Sequence, residues 1–108
     1  MAASAVSPAE VASARASYRA ALLAALRKHK FYPRRALRRG REGTVKVGFE
    51  ICADGRIENV RLLASSGVHS LDQAALRVPR ALGRFEPLPK ALGKSRWKLE
   101  VPLSYRIR

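Results

Sequence analysis

Cysteine is nearly absent from this chain. Cys52 stands alone, so no intrachain disulfide can form and no multi-cysteine metal site can be built. Long apolar runs are missing as well. The longest, Ala20 to Leu26, falls far short of the roughly 20 residues that cross a bilayer. No secretory leader pattern opens the sequence, whose first basic residue is Arg15; if the natural protein is anchored or exported, this chain is an excised part of it. Glycine-rich phosphate-binding loops are lacking. Acidic residues are few, 8 against 22 lysines and arginines, and scattered, so no carboxylate pair is offered for acid/base chemistry. His29 and His69 have no second histidine or cysteine at ligand spacing, and Ser65 and Ser66 no histidine partner in a recognisable arrangement. These gaps point away from an enzyme and leave the expected catalytic, metal and cofactor sites at none.

What is present is charge. A net +14 on 108 residues gives a single small domain a large positive field. Such a field suits nucleic acid, an acidic protein, an anionic membrane or a cell-wall polymer, and charge alone does not choose among them.

The patterning predicts helix, hairpin, helix, strand. Ser7-Pro8-Ala9-Glu10 has capping-box spacing with proline at the first helical position, and Val11, Ala14, Tyr18, Leu22, Ala25, Leu26 and His29 recur as one core-facing stripe. Tyr32-Pro33 stops that helix, and a one-turn helix from Pro33 to Arg39 ends at Gly40. Thr44 to Ile51 then alternates, with Val45, Val47, Phe49 and Ile51 on one face. Cys52 to Arg56 turns the chain through Asp54-Gly55, and Ile57 to Ser65 returns. Ser70-Leu71-Asp72-Gln73 reads as a second capping box, opening a helix whose apolar face is Leu71, Ala74, Ala75, Val78 and Leu82. Pro79 is expected to end or kink that helix. Phe85 to Gly93 reads as an ordered loop anchored by Phe85 and Leu88, and Trp97 to Ile107 as the third strand. The expected fold class is α+β: a two-layer domain with a three-stranded antiparallel sheet, order 2-1-3, and two helices on one face.

Within that third strand, WKLEVPLSY alternates without a fault yet contains Pro102. Proline has no N–H for a ladder, so it belongs at an edge. If its missing N–H faces the free edge, the backbone groups of Lys98, Glu100, Ser104 and Arg106 face it too. Two readings of this edge stand: protection against aggregation, or a docking line for an extended peptide. The densest basic run, Arg34, Arg35, Arg38, Arg39 and Arg41, places like charges on one turn at some cost; it is either a solvated face or a patch for an anionic partner. The aromatics Phe31, Tyr32, Phe49, Phe85, Trp97 and Tyr105 mostly fall on core-facing positions and form no stacking platform for bases. Cys52 sits in the hairpin turn, where an exposed thiol would permit dimerisation in an oxidising compartment.

Seven blocks then occur in an order that resembles the TonB C-terminal domain family: Tyr32-Pro33, Gly43 to Phe49, Asp54 to Val60, Ser65-Ser66-Gly67, Leu71 to Ala75, Phe85 to Pro89 and Val101 to Tyr105. The resemblance covers roughly Tyr18 to Ile107. It implies residues 1–17 as an extension at the end of a linker and 18–108 as the domain. It further implies a periplasmic domain of a protein anchored in the inner membrane, coupled through its missing N-terminal region to the ExbB–ExbD complex. Such a domain binds the TonB box of an outer-membrane transporter by strand addition and serves uptake of iron chelates or vitamins. On that view Lys98, Glu100, Pro102, Ser104 and Arg106 receive the peptide and Tyr32 and Pro33 flank it. A TolA-like envelope domain and a basic nucleic-acid-binding module are the alternatives, and an open edge also permits a strand-swapped homodimer. Pro79 and the high charge depart from the family pattern.

Overall fold

The computed structural model describes residues 7–107. Ser7 caps α1 (Pro8–Lys28): its hydroxyl accepts from the Glu10 amide at 3.1 Å, and the Glu10 carboxylate accepts from the Ser7 amide at 3.1 Å. Arg27 and Lys28 oppose the dipole at the other end. The buried stripe is narrower than expected. Only Tyr18, Leu22 and Leu26 are buried, while Val11, Ala14 and Ala25 are half-buried and His29 is exposed. Periodicity specifies which face of a helix is apolar, not how much of its length finds something to pack on.

Pro33 caps α2 (Arg34–Arg38), and Gly40, at φ 65°, turns the chain out of it. β1 (Gly43–Cys52) follows, then β2 (Ile57–Ala64), joined by a turn in which the Gly55 amide donates to the Cys52 carbonyl at 2.8 Å. β3 (Arg96–Tyr105) pairs antiparallel with the other side of β1, giving the order β2-β1-β3. β1 is the central strand, with Val45, Val47, Phe49 and Ile51 sealed from solvent. Against that face lie Tyr18, Leu22 and Leu26 of α1, Ala36 of α2, and Leu71, Ala74, Ala75 and Val78 of α3 (His69–Leu82). The opposite face is polar: Lys46 meets Glu100 at 3.0 Å, and Arg96 bridges Glu50 and Glu58 at 2.8 and 2.9 Å. Hydrogen bonding to Arg96 is the largest of the effects that hold both carboxyls below their ordinary range.

Four expectations require correction. Ser70 does not cap α3; the helix begins at His69 after Val68, which makes no side-chain cap. Asp72 instead turns back to the preceding loop, accepting from the Ser66 amide at 2.9 Å, the Ser66 hydroxyl at 2.8 Å and the Ser65 hydroxyl. It is buried. Secondly, α3 continues through Pro79 to Leu82. A proline there forgoes one ladder bond, but Pro79 is itself buried beside Val78, and keeping the helix keeps that apolar face in the core. Thirdly, Cys52 closes β1 and is buried, with burial pushing its thiol up. Fourthly, Phe31 is 45% exposed and serves no core.

The loop before β3 contains a single 3₁₀ turn, Lys90–Leu92, and is laid against the hairpin turn. The Phe85 amide donates to the Gly55 carbonyl at 2.9 Å, the Leu88 amide to Ala53 at 3.0 Å and the Ala53 amide to Ser95 at 2.8 Å. Leu88 and Leu92 are buried, as expected for an anchored loop, and Phe85 is half-buried edge-on to Tyr18. These contacts fix the direction in which β3 enters the sheet.

Candidate functional site

β3 alternates in burial along its length. Leu99, Val101, Leu103 and Tyr105 are buried, and Lys98, Glu100, Pro102 and Ser104 exposed. Its register is unbroken from Tyr105 opposite Gly43 to Arg96 opposite Cys52, with Pro102 opposite Lys46. Without an N–H, Pro102 cannot form the reciprocal pair of bonds that defines a hydrogen-bonded position, so Lys46–Pro102 is a non-hydrogen-bonded pair. Alternation then turns the backbone groups of even-numbered residues away from β1.

Two side chains of the α1 region meet that outward line. The Arg19 guanidinium donates to the Glu100 carbonyl at 3.2 Å, and the Lys30 ammonium to the Ser104 carbonyl at 2.6 Å. Lys30 also lies 5.4 Å from the centroid of the Tyr105 ring, and Arg15 lies 6.0 Å from that of Trp97. Sequence reasoning missed these cations. Arg19 and Glu100 lie 81 residues apart and Lys30 and Ser104 lie 74, and no local pattern reports such a meeting.

Arg106 follows the last residue of β3, and the next amide, of Ile107, donates to the Glu42 carboxylate at 2.7 Å. Tyr32 stands edge-on to Tyr105, centroids 5.4 Å apart, and its hydroxyl donates to the Arg41 carbonyl; it ties the α2 segment down, with Pro33 beside it. Burial pushes the Tyr32 hydroxyl up, with the Glu42 charge adding to it. Arg34, Arg35, Arg38, Arg39 and Arg41 form no ion pair among the described residues. Three of them, Arg35, Arg39 and Arg41, line an open cleft of ≈ 330 Å³ with the first residues of α3. Arg35, Arg39 and Arg41 thus share a cleft with the start of α3, while the Arg41 carbonyl is tied through Tyr32 to the Tyr105 end of β3. His29 and His69 are both exposed.

A two-layer α+β domain with an open strand edge is the class that this geometry defines. The family model for the Gram-negative bacterial TonB protein C-terminal matches residues 28–107, and the chain belongs to that family. Among curated relatives, Protein TonB of Pasteurella multocida is 37% identical over 91 residues, covering 84% of this chain and 34% of the relative. Protein TonB of Haemophilus influenzae is 41% identical over 71 residues, covering 63% of this chain and 26% of the relative. The chain therefore spans about a third or less of the length of these relatives. Among solved structures, the Helicobacter pylori TonB C-terminal domain superposes with a TM-score of 0.69 at 29% identity, covering 80% of this chain and 77% of that one. The Pseudomonas aeruginosa domain gives 0.59 at 34% identity, covering 72% and 78%.

Proposed function

We propose that this domain is the periplasmic end of a TonB-like energy transducer, which receives the TonB box of an outer-membrane transporter as an added strand on β3. The observation that carries this reading is the outward-facing backbone of Lys98, Glu100, Pro102 and Ser104, continued by Arg106, on an edge that has no neighbouring strand among the described residues. An extended peptide pairs there through its main chain, and side-chain contacts select it. The domain then passes on a pull from the inner membrane, where an N-terminal anchor outside this chain engages ExbB–ExbD, and the transporter releases an iron chelate or vitamin inward. No step calls for bond-making by the domain, which acts as a coupling module and not as an enzyme.

Titration of isotope-labelled protein tests the proposal. A TonB-box peptide is expected to shift amide resonances from Lys98 to Arg106, with smaller effects at Tyr32 and on α1. Duplex DNA supplies the contrast. Binding confined to DNA, saturating through Arg34 to Arg41 and falling steeply with salt, would overturn the strand-addition reading in favour of a nucleic-acid module.

A further inference from the structure

The edge of β3 is open to a strand but not bare. Glu100 and Ser104, the residues on either side of Pro102 in the outward phase, both have their carbonyls held by cations from α1 and its C-terminal turn. The spacing is matched. Four residues of strand cover roughly 13 Å, and the helix from Arg19 to its end at Lys28 covers about 14 Å, with Lys30 just beyond it. The order is matched as well, since Arg19 meets the earlier strand residue and Lys30 the later one. α1 therefore runs beside β3 in the same direction, with a cation on either side of Pro102 within the segment a peptide would occupy.

We propose that Arg19 and Lys30 form a displaceable clasp that makes the edge selective for acidic strands. The proposal rests on the strand-addition reading above. An incoming strand gives its own N–H groups to the Glu100 and Ser104 carbonyls, in competition with both cations for the outward direction of those oxygens. A strand with carboxylates within reach takes up the released cations in charge-assisted bonds, roughly twice as strong as neutral ones. A neutral strand leaves them with water alone. The phase of the carboxylates follows from the layer the cations occupy. Arg19 and Lys30 belong to the helix layer, so the matching side chains lie on the helix-facing side of the added strand, at positions i and i+4. Carboxylates of the other phase would lie over the polar face of the sheet, away from Arg19 and Lys30, where Glu100 is already paired with Lys46 at 3.0 Å. In the free domain the same two cations place charge along an open edge, which discourages a second copy from pairing there.

Three synthetic nine-residue extended peptides test this against the wild-type chain: one with glutamates at i and i+4 in the helix-facing phase, one with both glutamates moved by one residue, and one with glutamine at both sites. The in-phase acidic peptide is expected to bind roughly fivefold to tenfold tighter than the other two at low salt, with resonance shifts along β3 in every case. In the double variant Arg19→Gln, Lys30→Gln the three affinities converge, and the neutral peptide binds severalfold tighter than it does to wild type. If all three peptides shift β3 equally in wild type, strand addition stands and the clasp falls. Equal binding of both acidic peptides reduces the effect to bulk charge and also overturns it, as does a variant that keeps the preference. If no peptide shifts β3, both readings fall together. The phase comparison needs only wild-type protein, so it decides the matter even if the double variant unfolds.

Discussion

A Cβ atom built on Gly55 would stand 2.0 Å from the Phe85 carbonyl oxygen. The hairpin turn and the loop that leads to β3 are in backbone contact at this point, and the Phe85 amide returns a bond to the Gly55 carbonyl at 2.9 Å. Gly55 also holds φ 94°, so it meets both a conformational and a steric demand. Gly55→Ala is expected to cost upwards of about 3 kcal/mol, combining left-handed strain with displacement of a hydrogen-bonded loop. Gly67, at φ 88° with nothing within 4 Å of a built Cβ, is the control. Gly67→Ala should cost only the backbone part, about 1 to 2 kcal/mol. Urea unfolding of both variants checks the difference, and equal losses would show that the Phe85 contact contributes nothing.

The tyrosines make a second prediction. Burial pushes the Tyr105 hydroxyl up to about 12, and burial, with Glu86 nearby, does the same for Tyr18. A raised folded-state pKa means that the protonated form is the one folding favours. The stability linked to it is complete below the ordinary value of 10.0 and is lost as pH rises through about 12. Tyrosinate absorbance should therefore appear late and coincide with unfolding. The two hydroxyls differ in what they hold. Tyr18 donates to the Glu86 carbonyl at 2.6 Å, whereas the Tyr105 hydroxyl is buried with no partner among the described residues. Tyr18→Phe should cost about 1 kcal/mol, and Tyr105→Phe should be neutral or stabilising by a similar amount.

Asp72 governs the acid side. Burial alone would raise its carboxyl, but the bonds from Ser65 and Ser66, with His69 nearby, bring it below its ordinary value. The stability it contributes is present above the unfolded-state pKa of about 3.9 and is lost as pH falls through the lower, folded value. Asp72→Asn should be less stable than wild type by roughly 2 kcal/mol at neutral pH, and the gap should close in acid. Chemical denaturation between neutral pH and acid follows this directly; a gap that stays constant with pH would assign the loss to shape and not to charge.

These residues also show where local pattern succeeds and where it stops. The period-two runs of β1 and β3 were readable because alternation is a property of neighbours, and Pro102 marked an edge because a missing N–H has one meaning in any sheet. The strand order 2-1-3 then followed from crossover geometry. The partners of Asp72 lie beyond local pattern: it stands in the first turn of α3, and only the fold brings Ser65 and Ser66 of the preceding loop to its carboxylate. Pro79 was read by its intrinsic cost, which packing of its own ring outweighs. The cations on β3 were out of reach altogether. Arg19 and Lys30 acquire their partners only when α1 is laid along an edge formed by the last strand of the domain.

That edge supports the sharpest pair of substitutions. With even-numbered residues facing outward, the Ser104 amide belongs to no ladder inside the domain, while the Val101 amide bonds to β1 opposite Val47. Ser104→Pro should leave the domain folded, since Pro102 already shows that the strand tolerates proline in this phase. Its effect is to remove one outward donor, weakening an added peptide by about threefold to tenfold, the worth of one hydrogen bond. Ser104→Ala, which keeps the amide and loses only the hydroxyl near Thr44, should bind almost as well as wild type. Val101→Pro removes an inward donor at a fully buried position and should unfold the domain, at a cost of about 3 kcal/mol or more. Circular dichroism melting and peptide titration on the three variants read both quantities. If Ser104→Pro unfolds and Val101→Pro survives, the phase of the strand is reversed, and the groups open to a partner are those of Leu99, Val101, Leu103 and Tyr105.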